Sequence, residues 1–153
     1  MGPEDRLRDL AIELPPAPSP VASYVPVVVS GRLAYVSGQV PMAEGKLLWS
    51  GKLGADLEVP EGAEAARRCA LQALAALRAE LGSLDRVRRI VKVSVFVASN
   101  PGFTDQPKVA NGASDLLVEV FGDPGRHARV AVGVAELPLG GPVEVELLAE
   151  VAT

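Results

Sequence analysis

The chain is poor in the residues that most chemistry depends on. Its 153 residues include one cysteine, one histidine, one tryptophan, two tyrosines and three phenylalanines. A lone Cys69 can form no intramolecular disulfide, so nothing implies an oxidising compartment. Structural or catalytic zinc takes several histidine or cysteine ligands, and His127 with Cys69 is too small a set. A serine-histidine-aspartate triad would have to use His127, and no serine lies in a nucleophile elbow. Aromatics make up 4% of residues, which leaves little for stacking unpaired bases. The net charge of -4 and a pI near 5.0 oppose encounter with a polyanion. Apolar runs are broken by glycine, proline or charge well short of a membrane span. The opening residues lack the basic, apolar and small-residue pattern of a secretory signal. The expectation is therefore a cytoplasmic protein with no membrane and no nucleic-acid partner.

Two common nucleotide-binding motifs are also missing. Gly38 to Lys46 superficially resembles a phosphate loop, but its glycine spacing is wrong. Leu47 also stands where Ser or Thr would hold magnesium. There is no dinucleotide fingerprint, and a carboxylate magnesium site is the one metal option left open.

What is present is a globular composition, 48% apolar and 22% charged, at a length suited to one domain. Residues 1–20 read as an N-terminal helix and a Pro-rich connector, and residues 21–153 as a single domain. The helix would start at Pro3 and carry Leu7, Leu10 and Leu14 along one side, with Glu4 and Asp5 at its positive end. Tyr24 to Val29 and Leu33 to Ser37 read as a hairpin about Ser30-Gly31-Arg32, with Gly38 ending the second strand. Lys46 to Ser50 is a candidate short strand.

The strongest helix runs from Pro60-Glu61 to just before Gly82. Ala63, Ala66, Ala70, Ala73, Leu77 and Leu81 form its apolar side, with Glu64, Arg67, Arg68, Gln72 and Arg78 elsewhere. Cys69 on this helix reads as packing. Ile90 to Val97 alternates as a half-buried strand should. A second helix follows, with Thr104 as N-cap, Pro107 in its first turn and Gly122 at its end. Val109, Leu116, Leu117, Val120 and Phe121 would be its buried side. Arg129 to Ala135 and Val143 to Val151 read as a closing hairpin about residues 137–142. This order predicts an α+β fold: a mixed sheet with two main helices on one face, plus the N-terminal helix. The uncovered sheet face points to self-association.

Two polar residues at strand ends have the right chemistry for a small-molecule site. Arg129 opens an otherwise small, apolar strand, where a guanidinium can hold a carboxylate through two parallel hydrogen bonds. Glu144 lies near the start of the last strand, opposite Val143, Val145 and Leu147, where a carboxylate could orient and deprotonate a water. The plainer reading makes Arg129 a surface residue or an ion-pair partner of Glu144, with Glu144, Glu146 and Glu150 a solvated strand face. Tyr24, Asn111 and His127 have structural readings on the same basis.

An ordered set of segments gives these residues a context. Tyr24, Tyr-Val-Ser-Gly-Gln-Val-Pro at 35–41 and Lys-Val-Ser-Val-Phe-Val at 92–97 are its first members. Val-Ala-Asn at 109–111, Ala-Arg at 128–129, Leu-Pro at 137–138 and Val-Glu-Val-Glu at 143–146 complete it. Together they resemble the RidA/YjgF family, also labelled L-PSP endoribonuclease or translation-inhibitor proteins, over nearly the whole chain after Ser19. The resemblance implies a chorismate-mutase-like fold and a homotrimer with ligand sites between subunits. It implies hydrolysis of reactive imines and enamines to 2-keto acids and ammonia, with no cofactor. By position, Arg129 would clamp the substrate carboxylate and Glu144 would place the attacking water. Tyr24, Ser37-Gly38 and Asn111 would line or support the same cleft. Ala131 stands where well-studied members often carry cysteine or serine, so only its backbone could serve. The run Gly-Arg-His-Ala-Arg at 125–129 and the N-terminal helix mark a divergent branch. A non-catalytic carboxylate-binding trimer is the alternative function, and an endoribonuclease the least favoured one.

Overall fold

The computed structural model describes residues 1–19 and 22–153; Pro20, the last residue of the proposed connector, lies outside them with Val21. Helix α1 spans Pro3–Asp9, α2 Val59–Leu81 and α3 Gln106–Phe121. The strands are β1 Val27–Ser30, β2 Leu33–Gln39, β3 Met42–Ala43, β4 Lys46–Leu47, β5 Val87–Ala98, β6 Ala128–Val134 and β7 Val143–Val151. Five of them form one mixed sheet in the order β1-β2-β7-β5-β6. β5 and β6 run parallel and the other neighbours antiparallel.

Alternation decides which face each strand buries. Val93, Val95 and Val97 of β5 and Val143, Val145, Leu147, Ala149 and Val151 of β7 all turn inward beneath the helices. The opposite face carries Lys92, Ser94 and Phe96 beside Glu144, Glu146 and Leu148, with no helix over it. Burial without bulk explains how α2 lies so close to the sheet. Ala65, Ala66, Cys69, Ala70, Ala73 and Ala76 are all buried along it, and short side chains let the backbones approach. A Cβ on Gly112 of α3 would run into the Ala63 backbone of α2, so the two helices meet there in direct contact. Gly82 closes α2 in the left-handed conformation, φ 87°, which glycine adopts without steric cost.

Several local expectations are corrected. The last two strands do not form a hairpin. β7 lies between β2 and β5, while β6 pairs in parallel with β5 through the α3 crossover. β7 alternates cleanly with every odd residue buried, and its central place in the sheet lets both of its edges pair. The first strand begins at Val27, not Tyr24. Tyr24 sits in a bend before it, as Pro26 lacks the N–H a ladder needs. Helix α1 stops at Asp9, and Ala11 takes φ 54°. Leu10 is therefore exposed, while Ile12 and Leu14 reach the core from the returning chain instead. Lys46 to Ser50 contributes only β4, paired with β3 about a turn at Glu44-Gly45. The N-cap of α3 is Asp105 rather than Thr104. Ala63 is only half-buried, whereas Gln72 is buried. The Gln72 amide explains its burial: Oε1 accepts the Met42 N–H at 2.8 Å, and Nε2 donates to Val40 O at 2.8 Å and Gln39 Oε1 at 3.2 Å. A buried amide so satisfied pins the segment leaving β2. Among the described residues no helix is long and apolar enough to cross a membrane.

Candidate functional site

The residues picked out by chemistry form two groups. The first gathers around Arg129 at the edge strand β6. Arg129 is paired with Val93 across the parallel β5–β6 ladder, so both side chains leave on the helix-covered face. The guanidinium lies along α3. Nη1 donates to Asn111 Oδ1 at 2.8 Å and Ser114 Oγ at 3.2 Å, and Nη2 donates to the Pro107 carbonyl at 3.4 Å. Asn111 and Ser114 are three residues apart, one above the other on the same helical face. A guanidinium has five N–H donors. Among the described residues, the Nε–H and one Nη2–H of Arg129 are left without a protein acceptor. Ala131, paired with Val95, follows on the same side and packs against the core.

His127 backs this group. Its Nδ1 is 2.6 Å from the Gly125 carbonyl and its Nε2 is 2.8 Å from Ser114 Oγ. A carbonyl only accepts, so Nδ1 carries the proton and neutral Nε2 accepts the serine hydroxyl. Burial, assisted by the Arg129 charge, holds the imidazole below its ordinary pKa, so it is neutral at pH 7.

The second group lies on the open face at the other end of the ladder. Between Val36 and Gln39 the β2–β7 register shifts. The resulting bulge brings Gly38 against Glu144. A Cβ on Gly38 would fall 2.9 Å from Glu144 Cδ, so only glycine lets the carboxylate sit where it does. Ser37 ties down the incoming chain: its Oγ donates to Val25 O at 2.7 Å and its N–H to Pro26 O at 2.9 Å. Tyr24, half-exposed and next to Val25 in the chain, is held near this corner. Glu144 is half-buried and accepts no hydrogen bond among the described residues. Burial, with repulsion from Glu146, pushes its carboxyl above the ordinary glutamate range.

The two groups do not meet within one chain. Glu144 is paired with Phe96 on the open face, whereas Arg129 shares the helix face with Val93, and β5 separates their strands. The plain reading of an Arg129–Glu144 ion pair is therefore wrong. Neither residue takes part in a salt bridge among the described residues. Cys69 is buried, with its Sγ 3.7 Å from Val143 O and its thiol pKa pushed well up by burial and the nearby Glu144 charge, and it stays an inert packing residue. Among the described residues no three histidine, cysteine or carboxylate side chains gather as a metal site. Ser114 is the residue that reading the sequence missed, because in sequence it is one polar position on an amphipathic helix. Its spacing of three from Asn111 was the available signal.

Comparison with known proteins places the chain. The family described as "YjgF/chorismate_mutase-like, putative endoribonuclease" matches residues 4–151. A protein from Trypanosoma cruzi named TCP17 is 54% identical over 145 residues, covering 94% of this chain and 91% of that one. A 2-iminobutanoate/2-iminopropanoate deaminase from Dermatophagoides farinae is 31% identical over 137 residues, covering 88% of this chain and 91% of the relative. Among solved structures, protein Atu1372 of Agrobacterium tumefaciens, described as of unknown function, superimposes with a TM-score of 0.90 at 46% identity. That match covers 98% of this chain and 92% of the other.

Proposed function

This chain belongs to the YjgF/chorismate mutase-like family, and on that premise we propose that it hydrolyses reactive 2-imino and enamine acids to 2-keto acids and ammonia. The observation that carries the reading is the pair of complementary half-sites. Among the described residues, one is a pre-oriented guanidinium with two donors left without a protein acceptor, and the other a half-buried carboxylate with a raised pKa and no hydrogen-bond partner.

The substrate carboxylate takes the two free donors of Arg129, which fixes the neighbouring imine carbon in place. Holding that carbon for attack removes much of the entropic part of the barrier. Glu144 accepts a proton from water as the water oxygen bonds to the carbon of the protonated imine and the C=N electron pair moves to nitrogen, giving a neutral carbinolamine. The same carboxyl gives that proton to nitrogen and takes the hydroxyl proton as the C–N bond breaks and the C=O bond forms, so ammonia leaves with the keto acid behind. Water supplies the new oxygen, and no redox partner or cofactor enters. Because Arg129 and Glu144 emerge on opposite faces of one sheet, the complete site takes them from two copies. A homotrimer with clefts between subunits satisfies this. It would also cover Val28, Tyr35, Val130 and Val132, which are 38–51% exposed on one chain, an apolar surface a monomer rarely leaves bare.

The test is release of ammonia and keto acid from 2-imino acids generated in situ by an amino-acid oxidase. Acceleration by wild type that is lost in Arg129→Ala is the expected result. Equal turnover by both proteins overturns the mechanism. Carboxylate binding without turnover would leave a binding module in place of an enzyme.

A further inference from the structure

We propose that His127, acting through Ser114, is a positioning residue that sets the orientation of the Arg129 guanidinium for its two-point grip on a carboxylate. The inference rests on the reading of Arg129 as the carboxylate anchor.

The hydrogen bonds run in one direction only. The Gly125 carbonyl fixes the proton on His127 Nδ1, 2.6 Å away. Nε2 is thereby an acceptor and takes the Ser114 hydroxyl proton at 2.8 Å. A serine in mid-helix otherwise tends to bond back to the carbonyl one turn earlier. With its proton drawn toward His127, the oxygen keeps a lone pair for Arg129 Nη1 at 3.2 Å. Arg129 Nη1 therefore has both of its protons held, by Ser114 and by Asn111. That restraint matters because a free arginine side chain has large rotamer entropy, and the other hydrogen bond on this guanidinium, from Nη2 to the Pro107 carbonyl, is the longest of the three at 3.4 Å. Burial favours the neutral imidazole, which leaves Nε2 with the lone pair that accepts the Ser114 hydroxyl.

The chain of contacts also explains two features that the catalytic reading leaves aside. The turn at Asp123–Gly125 delivers the Gly125 carbonyl under the ring. A Cβ on Gly125 would collide with the Leu117 carbonyl of α3, so this turn must pack directly on the helix that carries Ser114.

The experiment measures binding of a simple 2-keto acid, 2-ketobutyrate, by calorimetry on the full-length chain, with imine turnover in parallel. Ser114→Ala and His127→Ala should each weaken binding about tenfold, the size expected for one anchoring hydrogen bond to a charged group. The loss should fall on KM and leave kcat little changed. Because both act through one contact, the double variant should be no weaker than Ser114→Ala alone, where independent effects would multiply. Ser114→Thr, which keeps a hydroxyl, and His127→Gln, which keeps an acceptor near Nε2, should bind as wild type does. The rescue variants also expose a variant that merely misfolds. Arg129→Ala is the control. If it binds 2-ketobutyrate normally, the anchor reading itself falls. If it loses binding while Ser114→Ala and His127→Ala bind as wild type, the positioning proposal alone is overturned. Multiplicative losses in the double variant would overturn it as well.

Discussion

The two faces of the sheet handle a charged side chain in opposite ways. Around Arg129, helix α3 alone provides acceptors for three of its five donors, so the cation is held still. Around Glu144, the β2 bulge brings backbone close and gives no donor, so among the described residues the anion is crowded, half-desolvated and unpaired. A held cation suits binding, where orientation counts. A carboxylate that gains from protonation suits proton transfer, where a raised pKa moves it toward working pH. Under the proposed function the difference divides the roles: Arg129 would bind and Glu144 would react.

The comparison breaks most directly at Glu144. We expect Glu144→Gln to lower kcat by roughly 10²–10⁴-fold, the usual contribution of a positioned general base, with KM nearly unchanged. Arg129→Ala should act on the other parameter, weakening carboxylate binding by about a hundredfold through loss of a charge-assisted fork. Steady-state kinetics on the two variants reads the split. A common pattern of loss would mean that the two residues do not divide the work.

Mixing the two variants tests whether the halves come from different copies. Arg129→Ala and Glu144→Gln, unfolded together and refolded in equal amounts, form mixed assemblies. If each site joins halves from two subunits, about one quarter of sites pair an intact Arg129 with an intact Glu144. Activity near that fraction of wild type is the expected result, and no recovery would place both residues in one copy's site.

Much of this was legible in the sequence, and what was hidden is instructive. The period-2 alternation of Val143–Val151 and the alanine stripe of α2 identified those elements, because a strand or helix with one buried face writes that face into its spacing. Arg129 and Glu144 stood out because each is charged at the end of an apolar strand. Their relation was hidden. Which face Arg129 uses depends on the parallel pairing of β6 with β5, a long-range register that no local pattern records. The six-residue turn at 137–142 looked like a hairpin loop, yet β7 passes over to pair with β2 and β5. Gln72 is polar and reads as lying off the apolar side, and only the Gln39–Met42 segment packed on it shows why it is buried. Ser114 and His127 were visible as residues but not as a pair, since thirteen positions separate them.

The Glu144 corner can be sharpened with a smaller change. Gly38→Ala places a methyl group against the carboxylate, with Glu144 Cδ at 2.9 Å and Cγ at 3.2 Å from it. The side chain is flexible enough to swing aside, so the fold should survive with little change in Tm. The displaced carboxylate should cost about tenfold in kcat, since small misplacements of a catalytic group are felt strongly. Carboxylate binding at Arg129 should be unaffected.

The smallest effect is on stability, and its sign follows from the direction of the Glu144 shift. A carboxyl whose pKa is raised in the folded state favours folding when protonated. That contribution is fully present below the ordinary glutamate value and is lost as pH rises through the raised one. Glu144→Gln cannot ionise, so it keeps at neutral pH what wild type gives up. In thermal unfolding, the two proteins should melt together in acid, and the glutamine variant should become the more stable as pH increases. The rate profile should move in step, because the same ionisation creates the base: the acid limb of kcat should lie above the ordinary glutamate range. A wild type that is more stable than Glu144→Gln at neutral pH would mean that the carboxylate has a cationic or hydrogen-bonding partner in the assembly, and that its crowded, unpaired state is not the one that works.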